Sequence, residues 1–256
     1  MVDLSNELAG KVAIVTGSAR NIGRATAQEL ASAGCALVIN SIQAQDLCDE
    51  VVAEIRAKGG QAIAVLADIR DRNSVNALID SAIDAFGGVD IVVHNAAVRS
   101  NTAFEDLSWE TFKDAIDLSI HACFHLAKAA VPSMKARGGG VIIGVGGMSS
   151  LRGSARRSHI MAGKMGMNAL IRGLALDLAQ YNIRANQVVV GSFDTIREGN
   201  PSSAPLLDAN PVASIPLGRM GQPQDMANMI RFLVGPGAEY VTGQTMHCNG
   251  GAYLNL

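Results

Sequence analysis

The residues Gly17-Ser18-Ala19-Arg20-Asn21-Ile22-Gly23 follow directly on an apolar run, at positions where a strand ends and a helix opens. Glycines at 17 and 23 let the backbone turn tightly and approach a ligand. A helix opening near Ile22 offers free N–H groups and the positive end of its dipole, which together receive a diphosphate. Far along the chain, His159 stands in a basic cluster with Arg152, Arg156 and Arg157. An imidazole, with an ordinary pKa of about 6.5, suits proton transfer at neutral pH. A guanidinium keeps its charge and instead holds a carboxylate, a phosphate or a developing enolate oxygen. The cluster has two readings, a site for an anionic substrate and a solvated basic loop. His159 also has two, a proton donor and a helix-start or interface histidine. His121 and His125 share one helical face and could hold a metal, but no third ligand is placed beside them, so no metal is expected.

The apolar pattern supplies the elements that must position these groups. Short runs at 13–15, 35–39, 62–66, 89–93, 141–145 and 183–190 read as strands. All but the last are near-continuous aliphatic sets, the mark of a strand buried on both faces, and 183–190 carries polar residues in its middle. Between them, helical spacing covers 43–58, 73–86, 109–135 and 158–180, with Gly59-Gly60 and Gly87-Gly88 as stops. The long 109–135 helix is apolar on more than one side, which suggests burial against sheet and subunit together. Successive strand–helix units predict a parallel, right-handed, doubly wound sheet with its ligand crevice at the carboxyl ends of the strands. Asn40 and Ser41 fall there, where a dinucleotide's adenosine ribose would lie. An acid at that place would bind the 2′-hydroxyl and repel a 2′-phosphate, and neither residue is acidic.

Composition narrows the partners. A net charge of −2 over 256 residues gives no general attraction to nucleic acid or to anionic membranes. No apolar run approaches the roughly 18 residues of a membrane span, and the first ten residues have no apolar core like a signal peptide's. The expectation is a cytoplasmic protein with a small-molecule substrate and neither nucleic acid nor membrane as partner. The four cysteines, Cys35, Cys48, Cys123 and Cys248, show no Cys-x-x-Cys spacing and read as free thiols.

Thr16-Gly17-x-x-x-Asn21-Ile22-Gly23 resembles the Thr-Gly-x-x-x-Gly-Ile-Gly coenzyme turn of the short-chain dehydrogenase/reductase family, with Asn at the middle glycine. Asn is the residue other than Gly that best tolerates positive φ. Ala67-Asp68-Ile69, His94-Asn95-Ala96-Ala97, Lys164-Met165-Gly166, Gly191-x-x-x-Thr195, Thr242-Gly243-Gln244 and Asn249-Gly250-Gly251 extend the resemblance over nearly the whole chain. It implies an α/β Rossmann fold, a doubly wound parallel sheet of seven strands with helices on both faces. It also implies one domain over 1–256 with 191–214 as a substrate lid, and a homotetramer or dimer assembled through the helices at 109–135 and 158–180. On this resemblance Gly17, Ser18, Arg20, Asn21, Ile22 and Gly23 cradle the coenzyme, with Asn40 and Ser41 at the ribose. Asp68 and Ile69 meet the adenine, Asn95 and Ala96 shape the floor, and Gly191 and Thr195 reach the nicotinamide amide or the diphosphate. Arg20 occupies the place where phosphate-selective members carry a basic residue, so NADP(H) is favoured over NAD(H).

The same resemblance exposes departures at the reaction centre. Lys164 matches the lysine that binds the nicotinamide ribose, but Ile160 stands where the family's tyrosine would be and Gly147 where its serine would be. Ser119 takes the place of the active-site asparagine. Ser149 and Ser150 lie close enough in sequence to reach back toward Gly147. Arg157, seven residues before Lys164, returns to within roughly 20° of the same helical face if the helix extends that far. Related enoyl reductases place their tyrosine at that spacing. His159, five residues before Lys164, needs a non-helical start to face the site. The expected function is NADP(H)-dependent hydride transfer to or from a small carbonyl or enoyl substrate, with Lys164, His159, Ser119 and Arg157 as the working side chains. A non-catalytic coenzyme-binding subunit, and a lyase or isomerase on the same scaffold, are the alternatives.

Overall fold

The computed structural model describes residues 6–195 and 212–254. Its first half alternates β1 (Val12–Val15), α1 (Asn21–Ser32), β2 (Ala36–Ser41), α2 (Gln45–Ala57), β3 (Ala62–Leu66), α3 (Arg72–Phe86) and β4 (Ile91–His94). There follow α4 (Trp109–Ile116), a π-helical turn (Asp117–His121), α5 (Ala122–Ala136), β5 (Gly140–Gly147) and the short α6 (Ser149–Arg152). The last elements are α7 (Ser158–Leu178), β6 (Ile183–Val190), α8 (Pro223–Val234) and β7 (Thr245–Cys248). The seven strands form one sheet in the order β3-β2-β1-β4-β5-β6-β7, every pair parallel.

Alternation of side chains along each strand divides the core between the two faces. Ala13, Val15, Leu37 and Ile39 face α1, α2 and α8, where Ile22, Leu30, Val51, Ile55, Met226 and Ile230 cover them. Val12, Ile14, Val38 and Val92 point the other way, onto Leu78, Leu126, Ala130, Met167 and Ile171 of α3, α5 and α7. This double burial explains why the strands read as unbroken apolar runs. Local signals fix the helix ends. The Asp71 carboxylate accepts the Ser74 N–H at 2.7 Å to start α3, and Gly87 ends it at φ 81°.

The observed bounds depart from the sequence reading in three places that matter for the site. β2 continues through Asn40 and Ser41, so these residues are strand, not the turn after it. β5 continues to Gly147, which places Gly146 and Gly147 in the ladder opposite Val189 and Val190. The expected single helix at 109–135 is interrupted by the π turn, which contains Ser119. Cys35, Cys48 and Cys123 are buried free thiols, and Cys248 is a half-buried one. Of the stretch expected as a lid, 191–214, residues 196–211 lie outside the described residues.

Candidate active site

The strand order reverses direction between β1 and β4, and a cleft of about 1150 Å³ opens at the carboxyl ends of the strands there. Gly17 enters it at φ 63° and Asn21 at φ 50°, so Asn21 adopts the left-handed conformation that the turn demands. Gly23 allows no side chain. A Cβ there would strike the Gly17 carbonyl oxygen and stand 2.7 Å from Asn95 Nδ2 and 2.8 Å from Ser18 Cα. The α1 N-terminus has no side-chain cap and no acidic residue in its first turn, leaving its polar end to the cleft. Thr16 Oγ1 accepts the N–H groups of Asn95 at 3.0 Å and Ala96 at 3.1 Å. In return Asn95 Nδ2 donates to the carbonyls of Thr16 at 2.9 Å and Gly17 at 3.2 Å. These bonds lock the turn after β1 to the turn after β4.

At the far end of the cleft Arg20 is exposed, with no side-chain partner among the described residues. Its neighbours are engaged. Arg24 pairs with Glu50 at 2.8 Å and with Glu54. Arg70 pairs with Asp68 at 2.7 Å and with Asp114, and its guanidinium holds the Asp68 carboxyl below the usual range. Ser18 and Asn40 commit their side chains to the backbone, although Asn40 still lines the cleft. Ser18 Oγ donates to the Val15 carbonyl at 2.6 Å and accepts the Asn40 N–H at 2.9 Å. Asn40 Nδ2 donates to Val65 at 3.1 Å and Ala67 at 3.2 Å, tying β2 to the end of β3. Ser41, Ile69 and Ala96 line the cleft, whereas Gly191 and Thr195 do not.

The groups expected to carry the reaction are buried behind the cleft wall. Lys164, 7 % exposed, donates Nζ to the Val145 carbonyl at 2.7 Å. Burial first, and the Arg99 guanidinium second, lower its pKa to about 8. His94, also buried, ends β4 with its Nδ1 3.5 Å from Thr16 Oγ1. Its Nε2 is buried with no hydrogen-bond partner among the described residues. Complete burial, and next the Lys164 ammonium, push His94 down to about 3, so it is neutral. Ser119 packs on Gly163, where an added Cβ would stand 2.8 Å from Ser119 Oγ and from the Ala115 carbonyl oxygen. Gly147 has open space in front of it. The nearest atom to a Cβ built there is Ser149 Oγ, at 3.8 Å, while Ser150 Oγ donates to the Gly147 carbonyl at 2.5 Å.

Two expectations about the start of α7 are corrected. The helix begins at Ser158, and Arg157 precedes it at φ −134°, ψ 21°, so the helical face that would align Arg157 with Lys164 is not built. His159 needs no irregular start, because it lies in the first turn. Five helical residues then turn it about 140° away from Lys164. It points instead to the loop after β4, where its Nε2 lies 2.7 Å from Ser100 Oγ, and its Nδ1 is buried without a partner. Burial, and secondarily Arg157, lower its pKa.

Sequence reasoning passed over Ser100, Arg99, Arg70 and His94. Polar residues immediately after strand ends are the signal that could have found the first three, since the crevice lies there. His94 was visible within its motif, but nothing in the sequence revealed that it lies within range of the Lys164 charge.

Comparison with known proteins agrees with this architecture. The family model for enoyl-(acyl carrier protein) reductase matches residues 17–253. A 3-oxoacyl-[acyl-carrier-protein] reductase of Synechocystis sp. is 36% identical over 248 residues, covering 96% of this chain and 98% of that protein. Among solved structures, a 7α-hydroxysteroid dehydrogenase complexed with NADH and 7-oxo glycochenodeoxycholic acid superposes with a TM-score of 0.90. It is 35% identical, with 100% of both chains covered. A blue fluorescent protein from a metagenomic library, in complex with NADPH, gives a TM-score of 0.89 at 33% identity, covering 97% of this chain and 100% of that one.

Proposed function

The chain belongs to the short-chain dehydrogenase/reductase family, and on that premise we propose that it is an NADP(H)-dependent oxidoreductase acting on a small carbonyl or enoyl substrate. The observation that carries this reading is the cleft at the reversal of strand order, floored by an uncapped helix N-terminus and a glycine that admits no side chain. Its chemistry fits a dinucleotide. The backbone at Gly17, Asn21, Ile22 and Gly23 would receive the diphosphate, and Ile69 with Asp68 would flank the adenine. Asn95 and Ala96 would floor the site, and Lys164 would hold the nicotinamide ribose. Gly191 and Thr195 are assigned to the nicotinamide end on the family pattern. When bound, the coenzyme supplies or accepts hydride, while the chain orients it and moves the proton. Arg20 supports the NADP(H) preference, because it is exposed at the ribose end without a carboxylate partner while Arg24 and Arg70 are neutralised. The exposed Trp109, Phe124 and Leu176 on α4, α5 and α7 support assembly into a homotetramer or dimer. We place the reaction in the cytoplasm, and among the described residues no helix is long and apolar enough to cross a membrane.

The absence of a phenol at Ile160, with Lys164 and Ser119 enclosed, favours one second reading, a coenzyme-binding subunit that does not turn over. Two titrations and one assay separate the readings. Nicotinamide fluorescence with NADPH and with NADH tests binding, and Arg20→Ala weakens NADPH by roughly tenfold with little effect on NADH if its guanidinium meets the 2′-phosphate. Equal loss for both removes the preference. Turnover of a carbonyl and enoyl panel then supports the enzyme, and binding without turnover of any member supports the subunit.

A further inference from the structure

Ile160 cannot exchange a proton, and His159, the histidine nearest to it in sequence, does not face Lys164. The groups that meet instead are Ser100, half-buried on the wall of the cleft, and His159, which is fully buried directly behind it. Their 2.7 Å separation is that of a made hydrogen bond. The loop carrying Ser100 is fastened to the same stretch a second time, by the Thr102 N–H donating to the Arg156 carbonyl at 2.8 Å, so the pair is held at both sides. Ser149 Oγ stands beside Gly147, at 3.8 Å from a Cβ built there, but has no imidazole behind it, and the two other hydroxyls considered for the missing acid are engaged elsewhere. Ser150 bonds the Gly147 carbonyl, and Ser119 is packed on Gly163.

We propose, resting on the oxidoreductase reading, that Ser100 and His159 are the proton-transfer pair of this chain, with the Ser100 hydroxyl meeting the substrate oxygen and His159 receiving the proton behind it. In alcohol oxidation the substrate O–H bond breaks and its proton passes to Ser100 Oγ, while the original Ser100 proton passes to His159 Nε2. The carbon-bound hydrogen leaves with its electron pair to the oxidised nicotinamide coenzyme, the oxidant, as the carbonyl forms. The imidazolium then returns its proton through the Ser100 hydroxyl to the water of the cleft, and reduction runs these steps backward. A neutral imidazole is required for the oxidative direction, and the environment provides it. Burial, and after it the cationic Arg157, disfavour the charged ring. The step needs the neutral ring's proton on Nδ1, which has no partner among the described residues, so that Nε2 is free to accept from Ser100. Ser100 is thus a catalytic residue that sequence spacing did not reveal, and His159 works through it.

The pair is tested first without coenzyme, by nitrogen-15 NMR of histidine-labelled protein, with the ring assigned through His159→Gln. The expected result is an Nδ1-protonated ring at neutral pH that titrates below the ordinary histidine range and whose Nε2 resonance moves on Ser100→Ala. An Nε2-protonated ring, or one indifferent to Ser100→Ala, overturns the proposal. The second arm uses NADP⁺ with a panel of secondary alcohols that includes ethyl 3-hydroxybutanoate. Ser100→Ala lowers kcat by about a hundredfold to ten-thousandfold with NADPH affinity unchanged, and Ser100→Thr restores most of it. The acid limb of the wild-type oxidation profile follows the His159 titration measured by NMR. A kcat within about threefold of wild type for Ser100→Ala shows a loop clamp and overturns the pair. Failure of the wild type to bind NADPH instead removes the oxidoreductase reading, and the imidazole titration still decides the pair.

Discussion

Replacing Lys164 by methionine should stabilise the fold near neutral pH while abolishing turnover. Burial holds the Lys164 ammonium at about 8, against 10.5 for an unburied lysine. At about 1.4 kcal/mol per unit, that difference disfavours the folded state by about 3 kcal/mol wherever both states would otherwise be protonated. Between these two values the unfolded chain binds the proton more strongly than the folded chain. Wild-type stability therefore rises with pH through that window, and the full penalty applies below it. Methionine removes the penalty but strands the Val145 carbonyl, which now accepts from Nζ at 2.7 Å, at a cost of about 1 kcal/mol. The net gain is about 2 kcal/mol near neutral pH, or a Tm higher by about 4–8 °C for a domain of this size. Urea unfolding of both chains at about pH 7 and about pH 10 reads it out, with the gap narrowing at the higher pH. A variant less stable than wild type at neutral pH, or a gap that does not change with pH, refutes the reasoning.

Other outcomes follow from the cradle and the altered centre. Gly23→Ala drives a methyl into the Gly17 carbonyl and Asn95, so nicotinamide fluorescence should show coenzyme binding reduced by at least about a hundredfold, with thermal unfolding at lower temperature. Asn21→Gly should be tolerated at φ 50°, whereas Asn21→Ala should cost about 1 kcal/mol by urea titration. Gly147→Ser introduces a hydroxyl where, among the described residues, only Ser149 Oγ lies near, at 3.8 Å, so its unfolding free energy by urea titration should stay within about 0.5 kcal/mol of wild type. A large loss there would mean that the space before Gly147 is not open.

The fold was legible because its signals are local. An unbroken aliphatic run gave β3 to the residue, the β-branched ends of Ile183 to Val190 gave β6 across its polar middle, and glycine stops gave the ends of α2 and α3. The positive φ at Asn21 followed from the one non-glycine residue type suited to it. Strand ends were less legible, since β2 and β5 run on through Asn40-Ser41 and Gly146-Gly147, where pairing with a neighbouring strand overrides a polar or glycine composition. The reaction centre was legible only as a set of absences. That His159 turns toward Ser100 depends on where α7 begins, and its start at Ser158 is set by the turn at Arg157 rather than by helical periodicity. The effect of the Lys164 charge on His94 is a tertiary one between β4 and α7, separated by seventy residues with no shared motif.

The account stands most directly on a crystal structure of the full chain grown with NADPH. It predicts the diphosphate over the N–H groups at Asn21, Ile22 and Gly23, the 2′-phosphate within reach of Arg20, and Ser100 facing the open side of the nicotinamide ring. A cleft that holds no coenzyme, or a ring whose open side faces neither Ser100 nor Lys164, contradicts it.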